Sequence, residues 1–310
     1  MAVRRFRCVG GHDWEVPFEH LMVGPPRSLP QVRYAQRHDT PRVSRHGAMM
    51  APGQRAPSVE RRASSMKVLD DLLLDLKAEV GVKDIRQGLF HTAVLTRNCG
   101  LAATLPRDAL RQEPPLVKDA GSLLAKSAPE LARMCYSESI PEAAIGMATI
   151  NSLLDIDEER CQNLNARELI LEKGRGKTVA IVGHFPFVAQ LRREVKSVWV
   201  IEKNPREGDV SESGSEEFIP QADVVAITGT AFTNHTIGQL LALCSPNAFV
   251  IVLGDSAPLS PVLFEHRVDA ISGTKVVDPD LAMRCVSEGA TYRQIKGIRQ
   301  LTMTKQVWRQ

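Results

Sequence analysis

The 310-residue chain lacks most of the signatures that announce a function, and each absence removes a class. It has no apolar run of the ~20 residues that would span a bilayer, so no membrane partner is expected. It has no C-x-x-C pair and no zinc-finger spacing. The six cysteines, Cys8, Cys99, Cys135, Cys161, Cys244 and Cys285, are scattered, and reduced thiols in a cytoplasmic protein are the expectation. There is no Walker loop, no G-x-S-x-G elbow, no H-x-x-x-H pair and no carboxylate dyad, so no defined hydrolytic mechanism is indicated. Charge of one sign is also missing over most of the length. Residues 1–65 hold eleven arginines, no lysine and five acids, and the rest of the chain is slightly acidic despite an overall net charge of +3. A body with that balance offers no case for nucleic-acid binding.

What is present is clearest at residues 178–205. Thr178-Val-Ala-Ile-Val182 is a short β-rich run that stops at Gly183, and Pro186 suits a first helical turn because it needs no N–H there. Val188, Leu191 and Val195 recur at helical spacing, and a second strand, Ser197–Ile201, ends at Glu202. An acid at that distance from a strand-end glycine holds a ribose hydroxyl in dinucleotide-binding folds. The phosphate fingerprint is incomplete, because Gly183-His-Phe-Pro-Phe-Val188 keeps one glycine where three are needed.

Strand-like runs follow at 222–228, 248–253 and 268–271, with helices opening near Asn234, Ser260-Pro261 and Asp278-Pro279, and Ile298–Met303 as a last strand. This alternation predicts an α/β fold, a Rossmann-like doubly wound parallel sheet over 172–310. Before it, residues 66–165 read as a small α+β domain. Leu69, Leu72, Leu73, Leu76 and Val80 mark a helix ending at Gly81. Strand-like runs occupy 85–105, a helical pattern covers 120–135, and Ser139-Ile-Pro-Glu142 reads as a capping box opening a buried helix over 143–154. Residues 1–65 are basic and proline-rich without periodicity. They are expected to be a disordered extension, with Met66 as the start of the ordered chain, and Cys8 and His12 find no partner pair for a metal.

In such sheets ligands bind beyond the carboxyl ends of the strands. Those ends supply the candidate ligand-binding residues Gly183, His184, Phe185, Glu202, Asn204, Thr228, Gly229, Thr230, Asn234, Gly254, Asp255 and Ser256. His184 is the foremost candidate base or metal ligand. Cys99, read as a turn cysteine beside Gly100, is a second candidate metal ligand. His235 is placed at a helix start, His91 in a strand and His266 at a surface helix end.

The runs Val179–Val188, Val200–Pro205, Ala222–Thr230 and Pro258–Phe264 together resemble the putative heavy-metal chelation family, as do Gly88-Leu-Phe90, Cys99–Ala102 and Glu142–Gly146. The resemblance spans about residues 67–304, and departs at Asp255, where proline is the commoner residue. It implies an enolase-N-terminal-like domain followed by a Rossmann-like domain. It further implies a transition metal or metal chelate bound in the cleft between them. An enzyme using an adenosine-containing cofactor, S-adenosylmethionine ahead of NAD, is the alternative, with Glu202 on the ribose. The expected partner is a small-molecule or metal ligand; whether a reaction is catalysed, and whether the chain forms a homo-oligomer, stays open at this point.

Overall fold

A computed structural model describes residues 3–7, 13–17, 57–76, 80–105 and 116–305. Residues Met1–Pro52 form one unit, in which β1 (Val3–Arg7) pairs antiparallel with β2 (Asp13–Pro17). Two strands thus stand inside the stretch expected to lack structure; Cys8 and His12 lie outside the described residues.

Gly53–Gln310 form a second compact unit. Its first helix, α1 (Pro57–Asp75), begins nine residues before Met66, with Pro57 in the first turn where its missing N–H costs nothing. Gly81 makes an isolated bridge to Ser127 instead of ending that helix. A three-stranded antiparallel sheet follows, β3 (Asp84–Gln87), β4 (His91–Leu95) and β5 (Cys99–Ala103). The helix expected over 120–135 contracts to α2 (Ala128–Ala132), which Ser127 and Glu130 cap reciprocally, and a following 3-10 turn. Then comes α3 (Ile140–Leu153), buried along almost its whole length and packed on β4 and β5. The close approach depends on small residues: a Cβ added to Gly100 would lie 2.1 Å from the Ala148 carbonyl, and one added to Gly146 would lie 2.0 Å from the Cys135 nitrogen.

The capping box read at Ser139–Glu142 does not form. Glu142 instead accepts from the Ser137 hydroxyl at 2.5 Å and the Lys118 N–H at 2.9 Å, and the Ser139 hydroxyl donates to the Leu116 carbonyl. Both side chains hold the passing 116–118 segment in place of the helix end.

The remaining elements build the large sheet: β6 (Cys161–Gln162), α4 (Ala166–Gly174), β7 (Thr178–Val182), α5 (Val188–Glu194), β8 (Ser197–Glu202), β9 (Val210–Ser211), α6 (Ser215–Phe218) and β10 (Val224–Thr228). After these come α7 (Thr230–Thr233), α8 (Ile237–Leu243), β11 (Phe249–Leu253), β12 (Ala270–Val276), α9 (Pro279–Ser287) and β13 (Ile298–Thr304). The strand order is β6-β13-β12-β11-β10-β7-β8-β9. Strands β7 to β12 run parallel and β13 is antiparallel to β12, giving the doubly wound architecture that the alternation predicts. From β7 the chain winds outward through β8 and β9, then returns to place β10 on the other side of β7. The strand order therefore reverses between β7 and β10, where such folds open a crevice.

Period-two alternation sends the strand residues to two cores. Val179, Ile181, Val224 and Ala226 pack with Leu169, Ile170 and Leu191 of α4 and α5, while Ala180, Val225 and Ile227 face the core shared with α1, α3 and α8. The small sheet is also enclosed from behind, where Ala93, Cys99 and Leu101 meet Met283 and Val286 of α9. Residues 66–165 and 172–310 thus lie together in one compact unit, joined through α4. No described helix is long and apolar enough to cross a membrane.

Candidate functional site at the strand-order reversal

At the end of β7, Gly183 takes φ +99°, a backbone region that favours glycine, and its N–H donates to the Ile201 carbonyl at 3.0 Å. The chain then turns away from the sheet and opens a crevice of about 360 Å³ between the ends of β7, β8 and β10. Gly183, His184, Glu202, Asn204, Thr228, Thr230 and Asn234 all line it, so seven of the expected rim residues are brought together. Glu202 stands at the end of β8, where its carboxylate accepts from the neighbouring Lys203 N–H at 3.1 Å. The Thr228 and Thr230 hydroxyls lie 3.1 Å apart, and Asn234 accepts from the Thr236 N–H and hydroxyl at 3.3 and 2.7 Å. Asn234 is therefore spent on Thr236 one turn before α8 and does not cap it. Leu105, at φ +53° after β5, brings the small sheet to the same crevice.

The other expected residues separate. Phe185, Gly254 and Asp255 line a second crevice, of about 730 Å³, on the opposite side of the Gly183–Phe187 loop. Gly229 is a packing residue, since a Cβ there would lie 2.4 Å from the Ala257 nitrogen. Ser256 is fully buried, and its hydroxyl accepts from the Ala103 N–H at 2.8 Å, tying the small sheet to the large one.

The metal-ligand candidates do not converge. His184 sits with Nε2 3.4 Å from the Arg206 guanidinium and 4.0 Å from the Asp209 carboxylate, which Arg192 approaches at 3.6 Å. Cys99, expected at an accessible turn, is the first residue of β5, 6 % exposed in the core facing α9. Burial pushes its thiol up to about 12, far from a ready thiolate. His235 takes φ +60° and its Nε2 donates to the Cys135 carbonyl at 2.7 Å, a tie between layers in place of a solvated helix start. His266, expected on the surface, is largely covered, with Nε2 2.9 Å from the Asp71 carboxylate. Among the described residues no three of His, Cys, Asp and Glu are arranged to hold a metal ion.

His91 is satisfied in its strand, but through a partner that spacing could not reveal. Its Nε2 meets the Asp255 carboxylate at 2.8 Å and its Nδ1 faces the Ala290 carbonyl at 3.3 Å, with both side chains nearly buried. Burial opposes the imidazolium, yet the carboxylate and the carbonyl outweigh it and raise the His91 pKa. The second oxygen of Asp255 accepts from the Ser256 N–H at 3.0 Å. The site also draws on residues that sequence reasoning passed over: Glu212 and Ser215 on one side, and Arg167, Arg193, Tyr292 and Arg293 on the other. These come from short turns and helix faces with no distinguishing local pattern.

Comparison with known proteins places this arrangement. Residues 69–154 and 165–305 match two family descriptions, both named putative heavy-metal chelation. The chain belongs to this family. A crystal structure of a protein of unknown function from the family matched by residues 165–305, from Desulfitobacterium hafniense, is 26 % identical. It superposes with a TM-score of 0.68 over 78 % of this chain and 99 % of that one. A second, from Pyrococcus horikoshii, is 21 % identical and shares the fold, with a TM-score of 0.64 over 79 % and 98 % of the two chains. An uncharacterized protein of Methanocaldococcus jannaschii is 28 % identical over 179 residues, 56 % of this chain and 69 % of that one. The two matches meet between α3 and α4, on either side of β6, so the putative heavy-metal chelation pattern spans both sheets and the crevice between β7 and β10.

Proposed function

We propose that this chain binds a metal carried by an organic chelator, and does so in the crevice at the strand-order reversal. One observation carries the reading. The crevice gathers hydroxyl, amide and carboxylate groups around a space of small-molecule size, while no described trio of His, Cys, Asp and Glu offers a metal its own ligands. Soft or borderline metals bind tightly where thiolates or imidazoles converge. Here the one imidazole at the rim lies against a guanidinium and the candidate thiol is buried elsewhere. A bare ion does not fit that donor set. A chelate whose periphery carries hydrogen-bonding groups does, because the protein then needs only polar partners and shape.

The second reading, an adenosine-containing cofactor, is favoured by Glu202, which stands at the end of the strand after the glycine turn and faces the crevice. The single glycine of the loop suits S-adenosylmethionine, which has no pyrophosphate, better than NAD. Native mass spectrometry with elemental analysis, on protein purified without chelators or an affinity-tag metal, separates the readings. A metal retained together with an organic mass supports the proposal. Stoichiometric bare metal lost on His184→Ala overturns it in favour of direct coordination, and a metal-free nucleoside mass transfers the site to the second reading.

A further inference from the structure

The larger crevice on the far side of the Gly183–Phe187 loop has a chemistry of its own. Three arginines reach it from three different elements: Arg167 from α4, Arg193 from α5 and Arg293 from the 3-10 turn after α9. Arg193 and Arg293 have no ion-pair partner among the described residues. Arg167 is steered by a neutral group, its Nη1 donating to the Gln190 amide oxygen at 3.1 Å, and its carboxylate contact is the exposed Glu168 at 3.4 Å. Its Nε is buried and makes no hydrogen bond.

The acid at the crevice does not cancel this charge. The Asp255 carboxylate lies 2.8 Å from the His91 Nε2 and accepts from the Ser256 N–H, so its charge is turned toward the fold. One wall is apolar and flat: the rings of Phe185 and Phe187 stack at 5.3 Å between centroids, 15° from parallel.

We propose that this second crevice binds a multiply anionic small molecule with a planar apolar part. Its carboxylate, phosphate or sulfate groups are held by Arg167, Arg193 and Arg293, and its plane lies against the Phe185–Phe187 pair. Guanidinium forks match such oxyanions in pairs of hydrogen bonds and tolerate aromatic neighbours, which a lysine cluster would not do as well. At about 730 Å³ the space takes a molecule larger than inorganic phosphate.

The test is calorimetric titration of the full chain with pyromellitate, an aromatic tetracarboxylate, beside its neutral tetramethyl ester and inorganic phosphate. The expected result is one pyromellitate per chain, with phosphate weaker and the ester silent. Arg193→Ala and Arg293→Ala are exposed changes that should each weaken pyromellitate about tenfold, the size expected for losing a charge-assisted hydrogen bond. Glu202→Ala, in the other crevice, should leave it unchanged. Four results overturn the proposal: no pyromellitate binding, equal binding of the ester, an equal loss in Arg284→Ala, which removes a charge from α9 outside the crevice, or an equal loss in Glu202→Ala. An unchanged thermal midpoint in each arginine variant shows that the fold is retained.

Discussion

Two glycines where α3 packs, Gly100 and Gly146, and two at the ends of the large sheet, Gly183 and Gly254, serve opposite purposes. Gly100 and Gly146 are contact points, where α3 presses against β5 and against the turn at Cys135 so closely that a methyl group has no room. Gly183 and Gly254 are exits, at φ +99° and +120°, where the chain leaves a parallel strand and opens a crevice. A Cβ at Gly183 would meet the Thr228 side chain at 3.1 Å and the Phe185 ring at 3.6 Å, and one at Gly254 nothing closer than 3.7 Å. The first pair uses glycine to exclude space and the second to create it. The difference suggests which family motifs hold the fold and which serve a ligand.

The sharpest way to break that contrast is to fill both kinds of position. Gly146→Val drives side-chain atoms into the Cys135 backbone, and overpacking of this kind costs about 3 kcal/mol or more. Gly183→Ala imposes a conformation unfavourable to an L-residue, at about 1 kcal/mol, and narrows the crevice. Chemical denaturation of the two variants should rank them in that order. Equal losses of stability would remove the distinction between contact points and exits.

A second test reaches the join between the regions. His91→Ala leaves the Asp255 carboxylate nearly buried without its counter-charge, and removing one partner of such a pair costs about 3 kcal/mol. The pair also sets a pH dependence. The folded pKa of His91 lies above its ordinary 6.5, so its stabilisation is fully present below about pH 6.5 and is lost as pH rises through the folded value. Urea unfolding of the native chain should therefore show stability falling as pH rises above about 6.5, less so in Asp255→Asn. A flat profile in the native chain would mean that His91 is neutral.

That pair also marks where the sequence stops being readable. The long parallel strands were legible because Thr178–Val182, Val224–Thr228 and Phe249–Leu253 are β-rich runs ended by glycine or threonine. The residues at those ends were legible as a rim for the same reason. The two-residue strands β6 and β9 were not, because two residues carry no period. His91 and Asp255 could each be placed on an element but not with each other, since they lie 164 positions apart and are joined only by tertiary packing. The arginines of the second crevice were hidden similarly. Arg167, Arg193 and Arg293 read as ordinary polar positions until three elements bring them to one space.

A smaller effect concerns the rim alone. Glu202→Ala removes a carboxylate that borders the first crevice and, among the described residues, accepts from the adjacent Lys203 N–H. Its loss should leave stability within about 0.5 kcal/mol, as for an ordinary surface change, while weakening the ligand recovered with the native protein by about 1–3 kcal/mol. Thermal unfolding read beside titration with that ligand separates the two quantities. A fall in stability matching the fall in affinity would make Glu202 a fold residue and move it to the other side of the comparison.

The smallest expected effect is at Cys99, and its smallness is informative. The thiol lies in the core between the small sheet and α9, and burial raises its pKa to about 12. At pH 8 roughly one thiol in ten thousand would be ionised, so native-state alkylation should pass Cys99 by. Among the described cysteines, Cys161 and Cys285, which are only partly buried, should react first. Cys99→Ala should then leave metal content and ligand affinity unchanged, because the residue lines neither crevice. Rapid labelling of Cys99 in the folded protein, or loss of metal on its removal, would require the layer between β5 and α9 to open. The small sheet would then belong to the binding machinery as well as to the scaffold.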